Sequence, residues 1–210
     1  MTERRFRRPA MLSPDQADEI VGDIDPAVRS EAAHTTASAI VHRGRAASDD
    51  PELVERLVHL VDTEGLDTVA TLWADSPPDT LPGTLWRLYL LREWTRRDPA
   101  TIADRYRLGV DRAEVAGAIA GVADTPGPEE IRTVADAVLS GVFRGDLDVA
   151  LERAGAFCRV LATGSAVDAD ALAGADDAVA ARVTRSAGAL LDTAGQLEDA
   201  AALWRAGRLD

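Results

Sequence analysis

Between residues 81 and 94 apolar side chains occupy nearly every direction of a helical wheel: Leu85, Trp86, Leu88, Tyr89, Leu90, Leu91 and Trp94. A helix that is apolar all round is packed on more than one side, so this stretch predicts a central element. Elsewhere the pattern is one-faced. Leu53, Val54, Leu57, Leu60 and Val61 fall at i, i+1, i+4, i+7 and i+8, the repeat of an amphipathic helix. Ile131, Val134, Val138, Leu139, Val142 and Phe143 predict a helix over 128–143. Leu147, Leu151, Ala154, Cys158 and Leu161 predict one over 147–162, and Val179, Val183, Leu190, Leu197 and Trp204 one over 176–206. Shorter periodic runs cover 13–23, 26–43, 66–73, 98–109 and 111–122.

The punctuation agrees with the periods. Ser13-Pro14-Asp15, Asp50-Pro51-Glu52 and Asp98-Pro99 each place a capping side chain before a proline at the first helical position. Gly44, Gly65, Ser76-Pro77-Pro78-Asp79, Thr125-Pro126-Gly127-Pro128 and Gly145-Asp146 interrupt the helices. Residues 164–175, rich in alanine, aspartate and glycine, read as a loose connection. The valines are scattered singly instead of in strand-like runs. The fold class predicted is all-α: an orthogonal bundle of about nine to eleven short helices with no sheet. The expected division is a basic flexible arm over 1–12, a helical core subdomain over 13–124 and a helical C-terminal subdomain over 128–210, or one continuous domain. Three of the four tryptophans lie between 73 and 94, which places the main core there.

Composition narrows the chemistry. The chain has no lysine and no asparagine, so all 23 basic side chains are arginine. In this it resembles proteins of high-GC bacteria. Without lysine there is no P-loop lysine and no Schiff-base amine. A net charge of −13 argues against a general nucleic-acid or anionic-membrane surface. With Cys158 the sole cysteine, no internal disulfide forms, and a reducing cytoplasm is the expected location. No stretch of about 18 apolar residues is present to span a membrane, and no apolar run follows the N-terminal arginines as in a signal peptide.

Candidate sites are few. Glu31 and His34 have the Glu-x-x-His spacing of carboxylate-bridged metal bundles, and Glu55 and His59 stand one turn apart; together they are the candidate metal ligands. Cys158 sits on an apolar face beside Phe157 and Val160 and reads as a buried thiol. The acid pairs Asp49-Asp50, Glu129-Glu130 and Asp176-Asp177 stand where carboxylates favour a helix N-terminus. Gly-x-Ser-x-Gly and Gly-x-Gly-x-x-Gly do not occur.

Segment 98–122 resembles a helix-turn-helix unit, with Ala103 in the first helix, Gly109 at the turn, and Val115 and Ile119 in the second. Residues 87–112 carry seven arginines against four acids. Arg105, Arg107 and Arg112, with Arg4, Arg5, Arg7 and Arg8 of the arm, form the candidate phosphate-contacting set. The competing expectation pairs the 87–112 arginines with the acidic stretch 49–79. Trp73 and Trp86, beside the proline-rich loop 76–83, are candidates for the border of a pocket, with core packing the alternative.

No catalytic constellation assembles from these residues and no cofactor is implied. The function expected is a non-catalytic helical protein-interaction or regulatory protein whose partner is another protein. A nucleic-acid-binding regulator using 98–122 and the arginine arm is the first alternative. A metal-dependent helical enzyme using Glu31, His34, Glu55 and His59 is the second.

Overall fold

A computed structural model describes residues 25–46, 49–121, 127–144 and 146–210. The arm with Arg4, Arg5, Arg7 and Arg8, the helix expected over 13–23 and the first half of the linker, Thr125-Pro126, lie outside the described residues. Among the described residues there are ten α-helices and no strand, so the chain is an all-α bundle. They are α1 (Pro26–Ala46), α2 (Pro51–Val58), α3 (Leu60–Glu64), α4 (Leu66–Trp73), α5 (Leu81–Arg97), α6 (Pro99–Val110), α7 (Glu114–Ala120), α8 (Pro128–Arg144), α9 (Leu147–Leu172) and α10 (Asp177–Arg205).

The starts follow the capping chemistry of the sequence. Asp50 accepts from the amides of Glu52 and Leu53, both at 3.1 Å, with Pro51 at the first helical position of α2. Asp98 caps α6 from the Thr101 amide at 3.3 Å, and Asp176 caps α10 from Val179 at 3.0 Å. Thr80 opens α5 by accepting from Gly83 at 3.3 Å. Gly83 itself is pinned under the preceding loop: a Cβ there would stand 1.9 Å from the Pro77 carbonyl oxygen.

The largest departure from expectation is at the C-terminal end. The stretch 164–175 is not loose; α9 runs 26 residues to Leu172, and the turn is only 173–176, with Gly174 at φ +84. Neither α9 nor the 29-residue α10 is short. Composition misled here because alanine and glycine, common in loops beside aspartate, are packing residues in this hairpin. Gly155, Ala162 and Ala169 on α9 are buried and recur every seventh residue. So are Ala180, Ala187, Ala194 and Ala201 on α10. A Cβ on Gly155 would lie 3.2 Å from the Ala194 carbonyl oxygen. Continuing that antiparallel register sets Ala162 opposite Ala187 and Ala169 opposite Ala180. Small residues at heptad spacing let two helices lie side by side along their whole length.

A second close contact fixes α6 against α9. A Cβ on Gly164 would fall 1.7 Å from the Arg105 carbonyl oxygen, and one on Gly109 2.1 Å from that of Val160, so the two backbones touch. Tyr106 stacks on Phe157 beside this crossing, with centroids 5.6 Å apart. Gly109 is therefore a packing residue in the last turn of α6. The turn of the helix-turn-helix-like segment is 111–113, between α6 and α7.

The buried core is contiguous. It joins Trp73, Leu85 and Tyr89 to Ile131, Phe143, Leu151 and Leu161, residues from both halves of the chain. Its most enclosed helix is α9, which packs on α6, α7, α8 and α10. The tryptophan-rich region forms one flank of it. Trp73 is buried, donates its indole N–H to Thr36 Oγ1 at 3.1 Å and lies 6.1 Å from the Tyr89 ring. Trp86 packs on the core edge.

Candidate functional site

One arginine of α5 is fully buried. Arg92 follows Leu91 and is 1% exposed, so its guanidinium must be neutralised within the fold. Two acids from distant helices do this. Arg92 Nε donates to Asp136 Oδ1 of α8 at 2.6 Å. Its NH1 and NH2 donate to the two oxygens of Asp62 on α3, at 3.2 and 3.0 Å, in the bidentate fork that suits a guanidinium. Arg96 adds a longer contact to Asp62 at 3.6 Å. The Asp62 and Asp136 side chains keep 29% and 33% of their surface in solvent. They form the boundary between the core and the outside.

His59, the residue joining α2 to α3, closes the cluster. Its Nδ1 lies 2.6 Å from Asp62 Oδ2 and 2.7 Å from Arg92 NH2. A protonated Nδ1 donates to the carboxylate, while an unprotonated one accepts from the guanidinium, so either tautomer is held. Burial alone would raise the Asp62 carboxyl; the hydrogen bonds from Arg92 and His59 and the charges of Arg92 and Arg96 overcome this and hold it at about 2. Burial alone would likewise lower Arg92, and the Asp62 and Asp136 contacts outweigh it, leaving the guanidinium more firmly protonated than usual. Next to this cluster Tyr89 donates its hydroxyl to the Leu57 carbonyl, and burial pushes its phenol up.

This cluster forms one end of a groove of about 560 Å³ between α2 and α8. Pro51, Val54, Val58, Ala137 and Gly141 give it an apolar lining. Glu55, His59 and Asp136 line it toward the cluster, and Arg144, Asp146 and Arg153 toward the start of α9. The two helices run in opposite directions, with Pro51 toward Arg144 and His59 toward Asp136. Thr133 and Ser140 add hydroxyls to this lining, so the groove is apolar and hydroxyl-lined along its length, acidic at one end and mixed with two guanidiniums and a carboxylate at the other.

The structure separates the metal candidates. Glu55 and His59 line this groove, whereas His34 lines another with Ser38, His42 and Trp204, and Glu31 is exposed on α1. Among the described residues no group of three or more His, Cys, Asp or Glu side chains is placed to hold a metal ion. Cys158 is buried, and burial, helped by the Glu198 charge, pushes its thiol up to about 12.

The arginines of 87–112 are mostly engaged. Arg92 and Arg96 do pair with the 49–79 stretch, through Asp62. Arg105 bonds Asp168 of α9 at 3.3 Å, Arg107 bonds Asp104 and Arg97 bonds Glu93. Arg112 donates to the Leu108 carbonyl at 3.2 Å. Half-buried Arg87 donates to Gln196 at 2.6 Å and to the Gly83 carbonyl, and burial lowers its pKa.

Asp62 and Asp136 carry no local signal in the sequence, since their partner lies 30 and 44 residues away. Arg92 did carry one: a charge on the buried side of an apolar helix demands a partner. No protein-family model, curated protein or solved structure matches the chain. Among the described residues no helix is long and apolar enough to cross a membrane.

Proposed function

We propose that this chain is a non-catalytic helical interaction protein that seats a helical segment of a partner protein in the α2–α8 groove. The observation that carries the reading is the groove itself: a floor of apolar and hydroxyl side chains with Glu55 and Asp136 at one end and Arg144 and Arg153, beside Asp146, at the other. A short amphipathic segment fits such a groove with its apolar face down and its end charges opposed to these. Complementary ends set the orientation of the partner more than its affinity. The Arg92 cluster supports the reading by tying α3, α5 and α8 together beneath the groove, so its wall is rigid before a partner arrives.

The test uses a variant that fills the groove. Ala137 is an exposed lining residue, so Ala137→Arg blocks the floor without opening the core. A protein partner that stays with the wild type at defined stoichiometry through nuclease treatment, and is lost from Ala137→Arg, supports the groove. A partner held equally by both rejects it. The nucleic-acid reading keeps one feature in its favour, the helix pair α6–α7 joined by the three-residue turn 111–113. It predicts nucleic acid as the companion, released by salt and by Arg105→Ala/Arg107→Ala/Arg112→Ala.

A further inference from the structure

The arginines that line grooves differ in one respect. Arg29 and Arg159 are each matched by an acid, Asp75 at 3.3 Å and Glu198 at 2.5 Å. Arg144 and Arg153, at the α9 end of the α2–α8 groove, have no acid partner among the described residues. Arg153 is half-buried and spends only Nε, on the Ala120 carbonyl at 3.4 Å. Its two terminal nitrogens donate to no acceptor among the described residues, and NH2 lies against Gly121 at the end of α7. Arg144, the last residue of α8, is exposed, and its side chain makes no hydrogen bond or ion pair among the described residues. Asp146 lines the same end, yet it pairs with neither arginine. In a chain of net charge −13, acids are plentiful, and none among the described residues is placed to quench either guanidinium.

We propose that Arg144 and Arg153 form an oxyanion-binding subsite, filled by a carboxylate or phosphate group that the docked segment carries. A guanidinium fork presents paired N–H donors at the spacing of two oxygens of such a group. Two forks from different helices (one from the end of α8, one from the second turn of α9) hold the group against the Ser140 and Gly141 stretch of the floor. Asp136 at the far end does not compete for these arginines, since it is already bonded to Arg92 at 2.6 Å. Asp146 sets the limit on affinity: its charge opposes the ligand's, so a small anion by itself binds weakly and the rest of the partner adds the remainder. The subsite rests on the groove being the docking site.

The experiment is an amide NMR titration of the full chain with inorganic phosphate and, separately, with glutarate, each against sodium chloride of equal ionic strength. The expected result is a saturable shift confined to amides of about 137–153 with a millimolar dissociation constant. Arg144→Gln weakens it about tenfold, and Arg144→Gln/Arg153→Gln removes it. Arg144 is exposed, so the single variant tests the idea even if Arg153→Gln disturbs the end of α7. Saturation by phosphate alone assigns the group to a phosphorylated side chain. Saturation by glutarate, alone or as well, assigns it to a carboxylate. Absence of saturation by both, or shifts unchanged in Arg144→Gln, overturns the subsite. The titration needs no partner, so its failure removes the subsite and leaves groove docking to be decided by Ala137→Arg.

Discussion

Replacing Arg92 with methionine isolates the contribution of one guanidinium. Methionine retains the apolar stem that fills the core, so the change removes charge and hydrogen bonds and little volume. What is lost is the 2.6 Å bond to Asp136 and the fork to Asp62 at 3.2 and 3.0 Å. Orphaning a fully buried acid costs about 3–5 kcal/mol. Here the acids keep 29% and 33% of their side-chain surface in water and can turn outward, so the penalty is smaller. The Asp62 carboxyl gives a second measure. It falls from 3.8 to about 2, which is worth about 2 kcal/mol before solvent screening and about 1 kcal/mol after it. Adding the Asp136 bond gives a loss of about 2–3 kcal/mol for Arg92→Met at neutral pH.

The sign with pH follows from the same shift. A depressed carboxyl adds stability above its unfolded value, and that stability is lost as pH falls through the folded value. The gap between wild type and Arg92→Met, read by urea unfolding, therefore narrows as pH drops from about 5 toward about 2. In an Asp62→Asn/Asp136→Asn background, Arg92→Met costs much less, because no carboxylate is left stranded. An unchanged unfolding midpoint at neutral pH, or a gap that widens in acid, refutes the account.

Two further outcomes follow from packing. Gly164→Ala places a methyl group 1.7 Å from the Arg105 carbonyl oxygen and must force α6 from α9, so it destabilises by at least about 2 kcal/mol. Gly188→Ala, with nothing within 4 Å of its Cβ in mid-α10, stabilises by about 0.5–1 kcal/mol; urea unfolding of the pair shows opposite signs, and equal effects would remove the close crossing. Cys158, buried with its thiol pushed up to about 12, reacts with a thiol reagent only through unfolding. Its labelling rate rises with urea in step with loss of helix, and prompt stoichiometric labelling of the folded protein contradicts the burial.

Where the helices begin was legible because the signal is local. Asp50-Pro51 and Asp98-Pro99 act on amides two or three residues away, and the structure uses them so. The length of α9 was not legible to a reading that anchors helices on leucine and valine. Ala162, Ala169 and Gly164 mark its buried side, and their signal is a spacing of small residues that a hydrophobic pattern ignores. The groove was half visible. His59 and Glu55 were singled out by their types, yet Asp62 and Arg92 are the residues that bond His59. Pairs such as Arg92 with Asp136 exist only through the packing of α5 on α8, which no local spacing encodes.

The small-residue seam of the α9–α10 hairpin also shapes how this protein responds to heat. A seam of leucines freezes rotamers on folding at about 0.5–1 kcal/mol each, whereas alanine and glycine have no side-chain rotamers to freeze. Cohesion there comes from dispersion between closely apposed backbones more than from apolar area taken out of water. The heat capacity of unfolding grows with that area. Ala180, Ala187, Ala194 and Ala201, against Gly155, Ala162 and Ala169, therefore add little to it. The hairpin's share of the stability curve is flatter than that of the tryptophan-lined flank, and cooling weakens it less.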